Sequence, residues 1–301
     1  MIVVVGESLI DVVVDPDGDV HEAVGGSALN VAVGLGRLDT PTVLITQLGN
    51  DDRGGRIIEH ATTSGVELVV APASHTATAA ARLDEHGGAV YEFDLVWNLP
   101  TQELPACDAL HVGALGALLE PGRTTVLDLV DQAYARGVPV SYDPNVREAL
   151  IEDRDLVWRD VEALADRSSV VKLSDQDVEV LHPGADPADI ARSLLRGERT
   201  DLVLLTRGAN GSTAYVEGLE VTVPAPPTEV VDTVGAGDSF VAATLTVLLE
   251  TSALGSYGAG LPRSEQELRR LLAAAGTAAS LTCERRGAQP PTRPELPADW
   301  P

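Results

Sequence analysis

Six short β-branched runs, at residues 2–5, 42–48, 108–112, 138–142, 169–173 and 201–205, alternate with longer amphipathic segments at 52–64, 122–136, 155–167 and 186–196. Parallel neighbours need a crossover that a tight turn cannot supply, and a dozen helical residues between two strands is such a crossover. The expected fold class is therefore α/β, a mostly parallel sheet flanked by helices on both faces. Two stretches break the rhythm. They are 11–20 and 77–96, and the second reads as a hairpin around Glu85-His86-Gly87-Gly88. A hairpin cannot belong to a strand–helix–strand array, so a small β flap beside the main sheet is expected, with an edge pair within the core as the alternative. Residues 239–250 are apolar nearly all round and predict a buried helix; a second helix is expected over 264–281.

Composition narrows the function. Against 46 acidic residues stand 21 basic ones, of which only Lys172 is lysine, giving a net charge of −25. Such a field repels nucleic acid and anionic lipid, so neither is an expected partner. No uncharged apolar run approaches the roughly 18 residues that a membrane helix needs. The start, MIVVVGESLIDVVVD, lacks a basic leader and is interrupted by Glu7 and Asp11. It reads as a first strand, and a cytoplasmic enzyme is expected. Cys107 and Cys283 form no metal or redox motif and read as free thiols. The six histidines show no ligand spacing, so any Mg2+ is expected to arrive on a nucleotide. Phosphate-loop, dinucleotide, nucleophile-elbow and H-E-x-x-H motifs are all missing from the sequence. Gly34-Leu35-Gly36 lies inside a helical pattern and reads as helix packing.

Three segments could carry chemistry. In Asp232-Thr233-Val234-Gly235-Ala236-Gly237-Asp238, glycines precede the buried helix, whose first N–H groups and positive dipole end make an anion site. Asp238 is either an ordinary N-cap or a carboxylate base beside a transferred phosphoryl group. Gly25-Gly26-Ser27-Ala28-Leu29-Asn30 enters a helix and is either turn chemistry or a polyol site, with Asp11 in apolar surroundings nearby as a partner for hydroxyls. Asp143-Pro144-Asn145-Val146-Arg147 follows a strand, where an open α/β sheet has its binding crevice, although a plain turn explains the spelling equally well.

In that order, GGSALNVAVGLGRL, DPNVR and DTVGAGDSF resemble the sugar kinases of the ribokinase (PfkB) family over nearly the whole chain. GESLID, SYDPNVR, VVKLSDQDVEVL and TCERRGAQPPTRPEL are most similar to bacterial fructokinases. The resemblance implies one Rossmann-like (ribokinase-like) domain over 1–301, with a lid from about 11–24 and 77–98 that closes to exclude water. It implies ATP and Mg2+ as cofactors and a sugar as acceptor, a ketohexose such as fructose. Ribose, 2-keto-3-deoxygluconate or a nucleoside are the alternatives, and a catalytically silent sugar-binding regulator is the rival of another class. Asp238 would be the base and Gly235, Ala236 and Gly237 the anion hole. Asp11, Gly25, Gly26 and Asn30 would hold the sugar, joined by Asp143, Asn145 and Arg147. Ser174, Thr206, Gly208 and Gly276 would approach the nucleotide. Many relatives carry an N-x-x-E motif acting on Mg2+ and phosphate; this chain departs from it with Ser174-Asp175-Gln176-Asp177, where the resemblance implies Asp177 as the Mg2+ contact. Asp232, Val234, Thr282, Arg285 and Gly287 correspond to a loop that binds a monovalent cation such as K+ in some relatives, with Pro291 where some ribokinases have a polar residue. Tyr91, Phe93 and Trp97 would either stack on the acceptor or pack the flap on itself. Arg82 and Arg147 would meet a carboxylated acceptor, and two copies would pair through the lid.

Overall fold

The computed structural model describes residues 1–14, 18–83, 89–195, 197 and 199–301. In chain order the elements are β1 (Ile2–Val5), β2 (Leu9–Val14), β3 (Val20–Gly25), α1 (Ser27–Arg37), β4 (Thr42–Gly49), α2 (Asp52–Thr63), β5 (Val66–Ala73), β6 (Thr78–Leu83) and β7 (Ala89–Asp94). There follow β8 (Ala109–Gly113), α3 (Gly122–Ala135), β9 (Val140–Asp143), α4 (Arg154–Ala165), β10 (Val170–Ser174), α5 (Asp175–Leu181), α6 (Pro187–Leu194), β11 (Leu202–Thr206), β12 (Ser212–Val216), β13 (Leu219–Val223), α7 (Ala236–Glu250) and α8 (Glu265–Cys283).

The main sheet runs β13-β12-β11-β10-β9-β8-β1-β4-β5. From β11 to β5 every pair is parallel, while β11–β12 and β12–β13 are antiparallel. The period of two sorts the strand residues between two cores. Val3 and Val5 join the cluster formed with α3 to α6, and Ile2 and Val4 join the one formed with α1, α2 and α7. The six expected strands are present. The antiparallel edge β12–β13 and the parallel edge β5 were not expected. β5 and β13 are partly exposed while β12 is buried throughout, and β5 carries Pro72, which an edge tolerates because its N–H is not needed there.

The flap is a sheet of its own, ordered β3-β2-β6-β7, which excludes the edge-pair alternative. Its β6 and β7 pair antiparallel from Thr78–Asp94 to Leu83–Ala89; the turn expected at 85–88 lies outside the described residues. Gly34 and Gly36 pack as the sequence suggests: a Cβ on Gly34 would stand 2.7 Å from Ala242 Cβ, and one on Gly36 2.2 Å from Ser64 O. Chain order reverses at β1, which has β8 on one side and β4 on the other. The carboxyl ends of β1, β8, β9, β10 and β11 therefore open on one crevice, the place where such sheets bind ligands. Among the described residues no helix is long and apolar enough to cross a membrane.

Candidate active site

The glycine stretch ahead of α7 has one permitted geometry. Gly235 caps the helix at φ 76°, and an added Cβ would lie 2.6 Å from Ala288 Cβ. Left-handed backbone and a close neighbour together leave only glycine there. Asp232 secures the approach, accepting from Val234 N–H at 3.1 Å and Gly287 N–H at 2.8 Å. Ala236 N–H bends back to Thr233 O at 3.3 Å. The N–H groups of Gly237 and Asp238 open the helix and by position have no acceptor within it.

Asp238 follows in the first turn, 6% exposed. Its Oδ1 accepts from Ser27 Oγ at 2.7 Å and its Oδ2 from Asn30 Nδ2 at 2.8 Å. Both donors come from the first turn of α1, whose entry is set by Gly26 at φ 106°. A Cβ at Gly26 would fall 2.8 Å from Glu7 O, so β1 and α1 can meet only through glycine. Asn145, at φ 39°, donates to Ser27 Oγ at 2.8 Å and lies 3.5 Å from Asp238 Oδ1. Arg147 donates to Asn145 Oδ1 at 2.7 Å.

Two more acids face this centre. Asp11 on β2 lies against Gly25 of the paired strand, where an added Cβ would be 2.0 Å from Oδ2. Burial pushes the Asp11 carboxyl up to about 6, with Arg147 opposing the rise and Asp238 adding to it. Glu7 is 6% exposed and accepts from Gly116 N–H at 2.9 Å. Burial pushes it up to about 7, against its bonds to the backbone and the Arg147 charge. Asp143, expected to face the crevice, is instead wholly buried at the end of β9 and pairs with Lys172 Nζ at 3.1 Å. Burial raises Asp143 to about 6, and Lys172 restrains the rise. Burial disfavours the Lys172 ammonium, but Asp143, Asp177 and Asp238 outweigh it and hold its pKa above the usual lysine value.

On the other side of the crevice, Ser174 and Thr206 end the paired strands β10 and β11 side by side. Gly208 follows at φ 48°, with open space where a Cβ would be. Gly276 lies on α8, facing Pro226 Cδ at 3.7 Å from its added Cβ. Asp177 is 4% exposed and committed to protein donors, with Oδ1 accepting from Val146 N–H at 2.9 Å and Oδ2 from Ser174 N–H at 2.8 Å. It closes a capping box with Ser174 and clamps α5 to the segment after β9. Among the described residues no group of three or more His, Cys, Asp or Glu is placed to hold a metal ion. Thr282 Oγ1 bonds Ala278 O within its own helix, and Arg285 pairs with Glu295.

Sequence reasoning did not single out Glu7, Ser27 or Lys172. Ser27 stands within GGSALN and Lys172 is the lone lysine, so both left a trace; Glu7 left only a charge in an apolar run. Trp97 is no stacking platform. It is 5% exposed, donates to Gly116 O at 3.0 Å and fills the space over Gly122. Phe93 is half-buried on β7; the side chains of Tyr91 and Arg82 lie outside the described residues.

The crevice thus combines an acidic residue at a helix N-terminus with a polar pocket at a sheet's switch point. Residues 1–295 match the model of the pfkB family carbohydrate kinases. A fructokinase of Klebsiella pneumoniae is 33% identical over 305 residues, covering 95% of this chain and 94% of its own. In fold the chain is similar to a Vibrio cholerae O395 fructokinase solved with fructose, ADP and calcium, at TM-score 0.79 and 24% identity over 95% of this chain and 94% of that one. It is similar also to a putative ribokinase II of E. coli solved with ATP and Mg2+, at TM-score 0.77 and 22% identity over 95% and 94%. A family match along almost the entire length makes this chain a member of the pfkB carbohydrate kinases, phosphotransferases acting on a sugar hydroxyl.

Proposed function

We propose that the chain transfers the γ-phosphoryl group of ATP to a hydroxyl of a ketohexose such as fructose, with Asp238 as general base. The reading is carried by the setting of the Asp238 carboxylate. Ser27 and Asn30 fix one oxygen each, and an ionised carboxylate still has lone pairs for a substrate O–H. The neighbouring Gly235–Gly237 turn supplies N–H groups where charge develops on the transferred group, with Gly237 the better placed because Ala236 N–H is engaged. Asp11, Gly25, Gly26 and Asn30 frame the sugar, and Asn145 and Arg147 close its far side. Asp143, buried beneath, acts through Lys172 and not on the sugar directly.

ATP enters along Ser174, Thr206, Gly208 and Gly276. The donor set suits a Mg2+ that arrives with ATP, since Asp177 is engaged by protein donors and a resident carboxylate cluster is missing among the described residues. Bound there, Mg2+ would neutralise charge on the phosphates. A cation such as K+ fits the Asp232 loop only through carbonyl oxygens, because the Asp232, Thr282 and Arg285 side chains already have partners. Residues 1–301 form one kinase domain in this reading, with the sheet of β2, β3, β6 and β7 as the lid that excludes competing water. Fructose is preferred over ribose, 2-keto-3-deoxygluconate or nucleosides because the fructokinase of K. pneumoniae covers 95% of the chain at 33% identity. The test is ADP release, coupled to NADH oxidation, over a panel of these acceptors. Turnover greatest with fructose is expected. Silence with every acceptor, alongside saturable fructose binding, would replace the kinase reading by a regulator.

A further inference from the structure

The chain has twenty arginines and one lysine, and among the described residues that lysine is in the least exposed charged pair. Lys172 lies on β10, between β9 and β11. Its side chain is 7% exposed and its partner Asp143 wholly buried. The ammonium reaches up to the glycine turn: a Cβ built on Gly237 would lie 3.2 Å from Nζ. Any side chain at Gly237 would press on the ammonium at this distance.

Three carboxylates, of Asp143, Asp177 and Asp238, act on this one cation. Without it they would leave the floor of the crevice strongly negative in a protein of net charge −25, where a triphosphate has to dock. A charge held in a buried site is little screened by water or salt, so one ammonium there counts for more than the exposed arginines. The choice of residue fits the space. A compact ammonium can stand under a backbone turn, whereas a planar guanidinium is broader and points its donors along a fork. We propose that Lys172 is a positioning residue for phosphoryl transfer: locked by Asp143 beneath Gly237, it sets the height of the glycine turn and turns the positive end of the pair toward it, so that the nucleotide phosphates can be accepted there. The proposal rests on the assignment of Asp238 and the glycine turn to phosphoryl transfer.

Lys172→Met alone would strand the Asp143 carboxylate, so the informative variant is Asp143→Asn with Lys172→Met, which removes both charges with little change of volume. Binding of ADP with Mg2+ and of fructose is measured by calorimetry, and kcat and both KM values with fructose and ATP. The expected result is at least tenfold weaker ADP–Mg2+ binding and at least tenfold lower kcat, with fructose binding within about threefold of wild type. A merely structural pair would lower the melting temperature and leave this split untouched. Wild-type nucleotide affinity and kcat in the double variant would overturn the proposal. Lys172→Arg keeps the charge and is read independently, should the double variant not fold. Because the broader guanidinium displaces the turn, this variant is expected to bind ADP–Mg2+ at least tenfold more weakly with fructose binding within about threefold, and wild-type nucleotide affinity would count against lysine setting the height of the turn. Asp238→Asn is assayed in parallel. Normal turnover there would remove the underlying site reading, whereas loss there with a normal double variant would remove Lys172 alone.

Discussion

Ser27 and Asp238, 211 residues apart, meet at 2.7 Å across the first turns of α1 and α7. Two helix starts thereby share one carboxylate, with Asn30 completing the grip at 2.8 Å. In the proposed role of base, a carboxylate so held needs no reorientation when a hydroxyl arrives. Asp238→Asn keeps the shape and loses the basicity. It should lower kcat by roughly 10²–10⁴, the usual reach of a positioned base, while fructose binding by calorimetry stays within a few-fold. Near-normal turnover would remove Asp238 from its role.

The grip depends on how closely the two helices approach. Gly34 of α1 permits it, because a Cβ would stand 2.7 Å from Ala242 Cβ on α7. Gly34→Ala should push the helices apart, destabilising by about 1–3 kcal/mol as overpacking does. It should also lower kcat more than it raises the fructose KM, since Ser27 and Asn30 move with α1. Urea denaturation and steady-state kinetics measured together check this. A destabilised variant with unchanged kcat would show that the helix spacing does not set the base.

The central strands were readable because burial on both faces makes them continuous apolar runs, as in IVVV of β1 and LVLLT of β11. The edges β5 and β13 were not, because half-exposed strands mix polar and apolar residues without a helix-like or run-like pattern, and β12 was not because STAYV, although buried throughout, spells no apolar run. In the site, glycines demanded by backbone shape were legible, as at Gly26 and Gly235. Side chains whose meaning comes from distant partners were not. Glu7 acquires its role from Gly116, 109 residues away, and Asp143 turns from the crevice to Lys172 only once β9 and β10 are neighbours. Trp97 looked like a flap residue because it follows β7, yet its indole goes to Gly116 of the main body.

Glu7 makes stability depend on pH in an unusual direction. Its carboxyl is raised from the ordinary 4.5 to about 7 by burial. Between those values the folded protein holds a proton that the unfolded chain has released, so stability falls as pH rises through this window. The gap between the two pKa values is worth about 3 kcal/mol. Glu7→Gln, which keeps an acceptor for Gly116 N–H, should therefore gain on wild type by an amount of that order between about pH 4 and pH 8. Urea melts of both proteins at the two pH values measure it. A constant difference would mean that Glu7 titrates normally.

The last prediction concerns how the lid is tied down. Glu22 on β3 pairs with Arg53 and Arg56, both on α2. At the start of the same helix Asp51 accepts from Thr76 N–H at 2.8 Å, just before β6. One helix N-terminus thus anchors both roots of the lid sheet, by an ion pair on one side and by a cap on the other. The ion pair is partly exposed, so its worth to global stability is at most about 1 kcal/mol, but in the proposed function this sheet is the lid, and a tie between it and α2 bears on closure. Glu22→Gln should raise the fructose KM roughly two- to tenfold, with kcat nearly intact and little change in melting temperature. Salt should mimic the variant: the wild-type KM rises between about 0.05 and 0.5 M NaCl as the pair is screened, whereas the KM of Glu22→Gln stays nearly flat. Equal KM values and parallel salt curves for the two proteins would show that Glu22 does not hold the lid.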